Sequence, residues 1–188
     1  PILGANAFAA PILGKILDSL KGENYKVIVR PHPQQVRHMK DAFEKMKEKY
    51  ANTNIEIQTD FSKTSSVFNA DLLITDWSSI GYEYAFTTEK PVISIDTPMK
   101  VMNPEYKKIK VEPFNIWARE QIGEVVKVKD VKNIDKLIDK MLKDPKKYQK
   151  KISALKKESV YNLGNSAKIG AEYIINCVQT KVKERKKK

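Results

Sequence analysis

The chain has 188 residues, of which 41% are hydrophobic and 31% charged, a composition typical of a folded globular protein and not of a disordered one. No apolar run approaches the roughly 18–20 residues that a membrane-spanning helix requires, and a single cysteine, Cys177, excludes an internal disulfide. The net charge of +12 favours polyanionic partners, although lysines that solubilise solvated helix faces would explain it equally well.

The positive charge is concentrated late in the chain, between Lys127 and Lys157 and in the basic tail, residues 181–188. Clustered arginines with aromatic residues are typical of nucleic-acid grooves, whereas here lysines dominate, so we expect no nucleic-acid partner. The apolar start, Pro1 to Ala10, lacks the basic region of a signal peptide, and we interpret it as the exposed end of a longer chain.

Short apolar, β-branched runs alternate with segments of helical period along the first two-thirds of the chain. The predicted strands are 27–29, 55–57, 72–74, 91–96 and 125–128. The predicted helices between them are 11–20, 34–50, 65–69 and 78–86. In helix 34–50 the pattern places Val36, Met39, Phe43 and Met46 on one face, and 97–122 is predicted to be a long loop with a turn of helix.

The remainder of the chain is predicted to be helical, over 133–142, 145–158 and from about Asn165 onward. The last helix is expected to turn Ile169, Tyr173, Ile174 and Cys177 or Val178 inward, with Cys177 acting as a small buried hydrophobe. Continuous apolar strands separated by helices predict an α/β fold, a Rossmann-like parallel sheet with helices on both faces. Ligands bind outside the carboxyl ends of such strands, so the loops after the strands are expected to line the site.

The first candidate loop is Arg30-Pro31-His32-Pro33, which directly follows a predicted strand. Two prolines restrict the backbone, so the side chains of Arg30 and His32 are presented with little conformational freedom to lose. Arg30 can bind phosphate oxygens with two N–H groups, and His32 can donate a hydrogen bond or a proton to a leaving phosphate. The alternative is that both residues only satisfy groups of the loop.

The second candidate segment is Ile74 to Tyr84, in which a strand leads through Ser78 and Ser79 into a helix. Free N–H groups and the positive end of the helix dipole suit a phosphate, although either serine would also serve as a plain N-cap. Asp76 would repel phosphate directly, so we expect it to orient a serine or Arg30, or to bind a ligand hydroxyl. Glu83 can accept hydrogen bonds from a ribose diol, or simply stabilise the first helical turns.

The sequence contains neither a P-loop nor a dinucleotide-binding glycine motif, and no Cys/His cluster for zinc. His38 is interpreted as a solvated helix residue. Trp77 and Trp117 are candidates for stacking on a base, although aromatic residues more often anchor a core or a loop.

Taken together and in this order, the motifs resemble those of the CDP-glycerol:poly(glycerol phosphate) glycerophosphotransferases, the bacterial teichoic-acid polymerase family. The shared motifs are R-P-H-P at 30–33, D-x-L-I-T-D-[YW]-S-S at 71–79 followed by Glu83 and Tyr84, P-V-I at 91–93, and Gly164-Asn165-Ser166-Ala167 before the last helix. The resemblance covers roughly Tyr25 to Ile175.

The resemblance implies that the chain is the carboxyl-terminal half of a GT-B-type fold: one donor-binding domain, 1–180, followed by the basic tail 181–188. It implies that His32 is catalytic at the donor pyrophosphate and that Ser78 and Ser79 hold phosphate. Together with the residues argued from the two loops, the predicted donor- and phosphate-binding set is Arg30, Ser78, Ser79, Asp76 and Glu83. No metal or cofactor is expected, because the CDP-linked donor is a substrate.

The implied activity is transfer of a polyol phosphate to a teichoic-acid-like acceptor of the cell wall or capsule, with release of CMP. The implied partners are the donor, a lipid-linked polymer acceptor, an amino-terminal domain and the anionic inner face of the cell membrane, where the enzyme would be a peripheral cytoplasmic protein. The fragment alone is expected to be inactive.

Residues 112–123 depart from the family pattern, which leaves ribitol phosphate or a sugar phosphate open as the transferred group. Two rival functions also stay open. One is a nucleotide-sugar glycosyltransferase of GT-B type, and the other is a non-catalytic α/β module that binds polyanions or membranes.

Overall fold

The computed structural model describes residues 10–62, 65–99 and 105–186. The apolar start of the chain, part of the long loop and the last two lysines lie outside the described residues. The helices are α1 (Ala10–Leu20), α2 (Pro33–His38), α3 (Lys40–Tyr50), α4 (Ser65–Asn69), α5 (Ile80–Thr88), α6 (Phe114–Trp117), α7 (Arg119–Ile122), α8 (Ile134–Lys143), α9 (Pro145–Ser159) and α10 (Ser166–Lys186). The strands are β1 (Val27–Val29), β2 (Ile55–Ile57), β3 (Leu73–Thr75), β4 (Val92–Asp96) and β5 (Gly123–Lys127), and two 3₁₀ turns lie at Tyr106–Lys108 and Val128–Asn133.

All strand pairs in the described residues are parallel, which confirms the Rossmann-like α/β class. The strands form two sheets, β1-β2 and β3-β4-β5. Val27 pairs with Ile55, Thr75 with Ser94, and Asp96 with Lys127. The carboxyl ends of neighbouring strands therefore share one edge in each sheet, which is where the sequence motifs place their polar residues.

Apolar faces of the helices cover the sheets. Under β1 and β2, one core cluster consists of Leu17, Phe43, Tyr50, Ile55 and Ile57. The strand β4 is the most deeply buried, since Val92, Ile93 and Ile95 are all fully enclosed. That pattern is typical of a parallel strand covered on both faces.

The predicted helix 34–50 is wrong in one respect, because the structure divides it into α2 and α3 at Met39. Met39 has φ −130° and ψ 36°, outside the helical region, and its side chain is 40% exposed. Val36, Phe43 and Met46 do pack into the core as predicted. The apolar spacing continues across the break, so periodicity alone could not reveal it.

The chain divides into two compact units, residues 1–153 and 154–188. The second unit contains the end of α9 and all of α10. The prediction that α10 turns its apolar residues inward is wrong: Ile169, Tyr173, Ile174 and Val178 are exposed, and so is Cys177. Ile169, Tyr173 and Cys177 do share one face of α10 at a spacing of four residues, but among the described residues of this unit no element covers that face.

The expected long loop between β4 and β5 contains more structure than predicted, because α6 and α7 follow one another before β5 begins. No helix in the described ranges is both long enough and apolar enough to span a membrane.

Candidate functional site

Arg30 lies immediately after β1, at the carboxyl edge of the β1-β2 sheet. Its Nη1 donates to Ser66 Oγ over 2.7 Å and to Gln58 Oε1 over 3.3 Å. The guanidinium carbon is 5.9 Å from the centre of the Phe61 ring. Gln58 follows β2, Phe61 lies in the next loop and Ser66 lies in α4. Contacts from these three places fix the position of the Arg30 guanidinium at the edge of the sheet.

His32 is the N-cap of α2 and has the extended backbone that this position requires (φ −63°, ψ 140°). Its Nδ1 accepts a hydrogen bond from Gln34 N–H over 3.2 Å, while its own N–H donates to Gln35 Oε1, which completes a capping box. Because Nδ1 acts as an acceptor, the neutral ring carries its proton on Nε2. The side chain is exposed, so Nε2–H is a donor that it can offer to a ligand.

Ser78 and Ser79 form the turn between β3 and α5. The Asp76 carboxylate accepts a hydrogen bond from Ser78 N–H over 3.1 Å, as expected for a residue that orients the serine turn. Ser79 is the N-cap of α5, yet its side chain caps no backbone group. Within the described residues, no acceptor is found for the N–H groups of Ser79 and Ile80. The start of this helix therefore keeps the free donors that suit an anion.

Glu83 lies one turn into α5 with its side chain exposed, and Ser79 Oγ donates to Glu83 Oε1 over 3.1 Å. The contact holds the serine hydroxyl and the carboxylate together on the outer face of the first turn. The ring of Tyr82 lies next to this turn, and its hydroxyl donates to Asn115 O over 3.1 Å. This links α5 to α6.

Asp76 carries a perturbed carboxyl group. Burial raises its pKa above the ordinary value of 3.8, while the hydrogen bonds from Ser78 N–H and its own backbone act in the opposite direction. Because burial outweighs these hydrogen bonds, the carboxyl group is costly to ionise. Asp76, directly after β3 and next to the serine turn, is therefore a carboxyl group with a raised pKa.

The side chain of Trp77, a candidate for stacking on a base, anchors the loop through contacts within the protein. Its Nε1 donates to Thr97 O over 2.8 Å, and the guanidinium carbon of Arg119 lies 3.4 Å from its ring centre. Arg119 Nη2 pairs with Asp96 Oδ1 over 3.2 Å. Trp117, in contrast, is 39% exposed and packs edge-on against Phe114, with ring centres 5.2 Å apart.

The structure thus places the predicted residues in two groups: Arg30 and His32 at the edge of the β1-β2 sheet, and Asp76, Ser78, Ser79 and Glu83 at the edge of β3 and in α5. Each group offers N–H or O–H donors at the carboxyl ends of parallel strands. Such an arrangement can bind phosphate groups and offset negative charge on a leaving group. Among the described residues, no cluster of side chains could hold a metal ion.

Sequence reasoning did not identify Gln58 and Ser66 as partners of Arg30, or Arg119 as the residue that stacks on Trp77. Gln58 and Ser66 have no motif of their own, and only the fold brings them to Arg30. Arg119 did offer a signal, since it is one of only four arginines in a lysine-rich chain and lies in the segment 112–123 that departs from the family pattern.

Comparison with known protein families gives a match. The model of the family described as CDP-Glycerol:Poly(glycerophosphate) glycerophosphotransferase matches residues 5–176, nearly the whole chain, and confirms the resemblance inferred from the motifs. No match is found among curated proteins or among solved structures.

Proposed function

Because the chain belongs to the CDP-glycerol:poly(glycerophosphate) glycerophosphotransferase family, we propose that it is the donor-binding domain of a transferase acting on a CDP-linked polyol phosphate. The observation that supports this most directly is the serine turn, where a strand end and a helix with free N–H groups meet. The Arg30 and His32 loop supplies further donors at the carboxyl edge of the β1-β2 sheet.

The proposed reaction is a direct displacement at the β-phosphorus of the donor. A hydroxyl group of the acceptor forms the new P–O bond, the bond from this phosphorus to the bridging oxygen breaks, and CMP leaves with the electron pair. The hydroxyl proton is lost to a base or to solvent. Since the charge shifts onto the leaving phosphate, positioned donors supply most of the catalytic effect.

Each side chain has a proposed role that follows from its position. Arg30 offsets charge on the pyrophosphate, and His32 donates from Nε2 to the leaving phosphate. The α5 N-terminus with Ser78 and Ser79 binds phosphate oxygens. Asp76 orients this turn, and Glu83 is the proposed acceptor for a ribose hydroxyl.

We also propose that the domain forms the carboxyl-terminal half of a GT-B-type enzyme, together with an amino-terminal domain and a lipid-linked acceptor. The first turns of α9 support a location at the anionic inner membrane face, because four of their lysines are exposed: Lys146, Lys147, Lys150 and Lys151. Binding to vesicles with anionic lipid should then fall steeply with salt, and binding that does not depend on the lipid charge would contradict this location.

Calorimetric titration of the chain with CDP-glycerol, CDP, CMP, UDP and GDP tests the donor assignment. We expect the cytidine ligands to bind tighter than UDP or GDP, and Arg30→Ala to weaken this binding by roughly tenfold or more. Arg37→Ala is the matched control, because Arg37 is an exposed arginine of α2. Equal binding of all five ligands, or none, would refute the donor site, and salt-sensitive binding of polyanions alone would favour a non-catalytic module.

A further inference from the structure

Three buried side-chain atoms in the described part of the chain lack a hydrogen-bond partner, and the two residues that carry them both contact Trp77. The three atoms are Thr97 Oγ1 and the Nε and Nη1 atoms of Arg119. Thr97 is 3% exposed and Arg119 is 8% exposed. With Trp77 and Asp96, these two residues form what we call the Arg119 cluster.

The Arg119 cluster lies at the carboxyl edge of the β3-β4-β5 sheet. Asp96 is the last residue of β4, Thr97 follows it, and Trp77 directly precedes the serine turn. The Asp96 side chain is 41% exposed, so the cluster opens to solvent at this residue. It therefore adjoins the edge where ligands of open α/β sheets bind.

The internal contacts of the cluster leave most of the guanidinium unused. Within the described residues, one hydrogen bond of the Arg119 side chain is found, from Nη2 to Asp96 Oδ1 over 3.2 Å. Stacking on Trp77 stabilises the positive charge through the face of the guanidinium, whereas the N–H groups lie in its plane. A buried cation with unpaired donors is costly in a folded protein and calls for a functional explanation.

The charge of Arg119 also reaches the first turn of α5. Burial raises the pKa of Tyr82, and the positive charge of Arg119 partly offsets that rise. Since Tyr82 is the third residue of α5, the positive side chain of Arg119 and the positive end of the helix dipole both act near this residue.

We propose that Arg119 and Thr97 form a further phosphate-binding element of the donor site, in which the unpaired N–H groups and the hydroxyl contact a phosphate oxygen of the CDP-linked donor. This inference rests on the proposed function and adds two residues that the family motifs do not contain. The alternative source of the phosphate is the acceptor polymer.

The test compares CMP with cytidine, which differ only in the phosphate, on the full chain. Two variants remove the proposed contacts: Arg119→Lys keeps the charge but not the planar fork, and Thr97→Val keeps the shape but not the hydroxyl. We expect each to weaken CMP binding about tenfold, with cytidine binding unchanged. Arg37→Lys, at an exposed position, is the control and should bind as the unsubstituted chain does.

Thermal unfolding separates this role from a structural one. Thr97→Val removes a buried hydroxyl that has no partner, so the variant should unfold at the same or a higher temperature even though it binds CMP more weakly. Normal CMP affinity in both variants would overturn the inference and leave the proposed function intact.

Two further ligands identify the source of the phosphate. If glycerol 3-phosphate binding were lost in the variants while CMP binding stayed normal, the site would belong to the acceptor, and the donor assignment of Arg119 would be wrong. If the unsubstituted chain bound no cytidine ligand at all, the proposed function would fail. In that case binding of inorganic phosphate that depends on Arg119 would show an anion site unrelated to the donor.

Discussion

Replacement of His32 separates its two roles, the cap of α2 and the proposed contact with the donor. His32→Ala removes the Nδ1 acceptor of Gln34 N–H and the Nε2 donor together. His32→Asn supplies a side-chain oxygen that can accept the same hydrogen bond, and asparagine is among the best N-cap residues. The asparagine variant has no N–H group at the position of Nε2.

The loss of an N-cap costs about 1 kcal/mol. For a chain of this size, such a loss lowers the unfolding temperature by about 2–4 °C. Val36 of α2 packs against the core, so fraying of this short helix should reach the folded unit. His32→Ala should therefore be less stable, while His32→Asn should match the unsubstituted chain.

Binding of CDP-glycerol gives the second readout. A hydrogen bond from Nε2 to the charged pyrophosphate contributes about 1.5–3 kcal/mol, which corresponds to roughly tenfold to a hundredfold in affinity. Both variants should lose this affinity, whereas His38→Asn, an exposed histidine of the same helix, should not. Normal binding of CDP-glycerol by His32→Asn would refute the role of Nε2. Unfolding of His32→Ala at the normal temperature would refute the importance of the cap for stability.

Two other predictions concern stability. The raised pKa of Asp76 means that the folded protein binds this proton more tightly than the unfolded chain does. The resulting gain in the free energy of unfolding is fully present below the unfolded pKa, near 3.8, and is lost as the pH rises through the folded pKa. The stability of Asp76→Asn relative to the unsubstituted chain should thus increase with pH above about 4 in urea unfolding; a difference that does not vary with pH would contradict the cause given for the shift. At Gly123 an added Cβ would lie 1.7 Å from Val92 O, so Gly123→Ala should cost about 3 kcal/mol by disrupting the β4-β5 pair. Gly14→Ala in α1, where nothing lies within 4 Å, should be neutral or stabilising, and equal unfolding temperatures for the two variants would refute the argument.

Local patterns were sufficient where a short segment determines its own structure. The strand 27–29, the strand 55–57 and the helix 65–69 agree with the structure, because apolar β-branched runs and turn residues act over a few positions. The order of the motifs 30–33 and 71–79 led to the family, which the match over residues 5–176 confirms. The roles of the site residues remain predictions.

Other features depended on contacts that no local pattern contains. The break at Met39 was hidden because the apolar spacing runs through it. The inward face predicted for α10 failed because burial requires a covering partner, and the spacing of apolar residues does not specify one.

The α/β class, the family and the two loops with donor groups follow from the amino-acid sequence, because strand period, proline restriction and helix starts are local properties. The folded chain is needed to see that Gln58 and Ser66 hold Arg30, that Trp77 and Asp96 contact Arg119, and that Trp77 also bonds Thr97. The physical reason is that parallel strands bring residues from distant positions to one edge, where burial and pairing are set by neighbours that the local sequence does not contain.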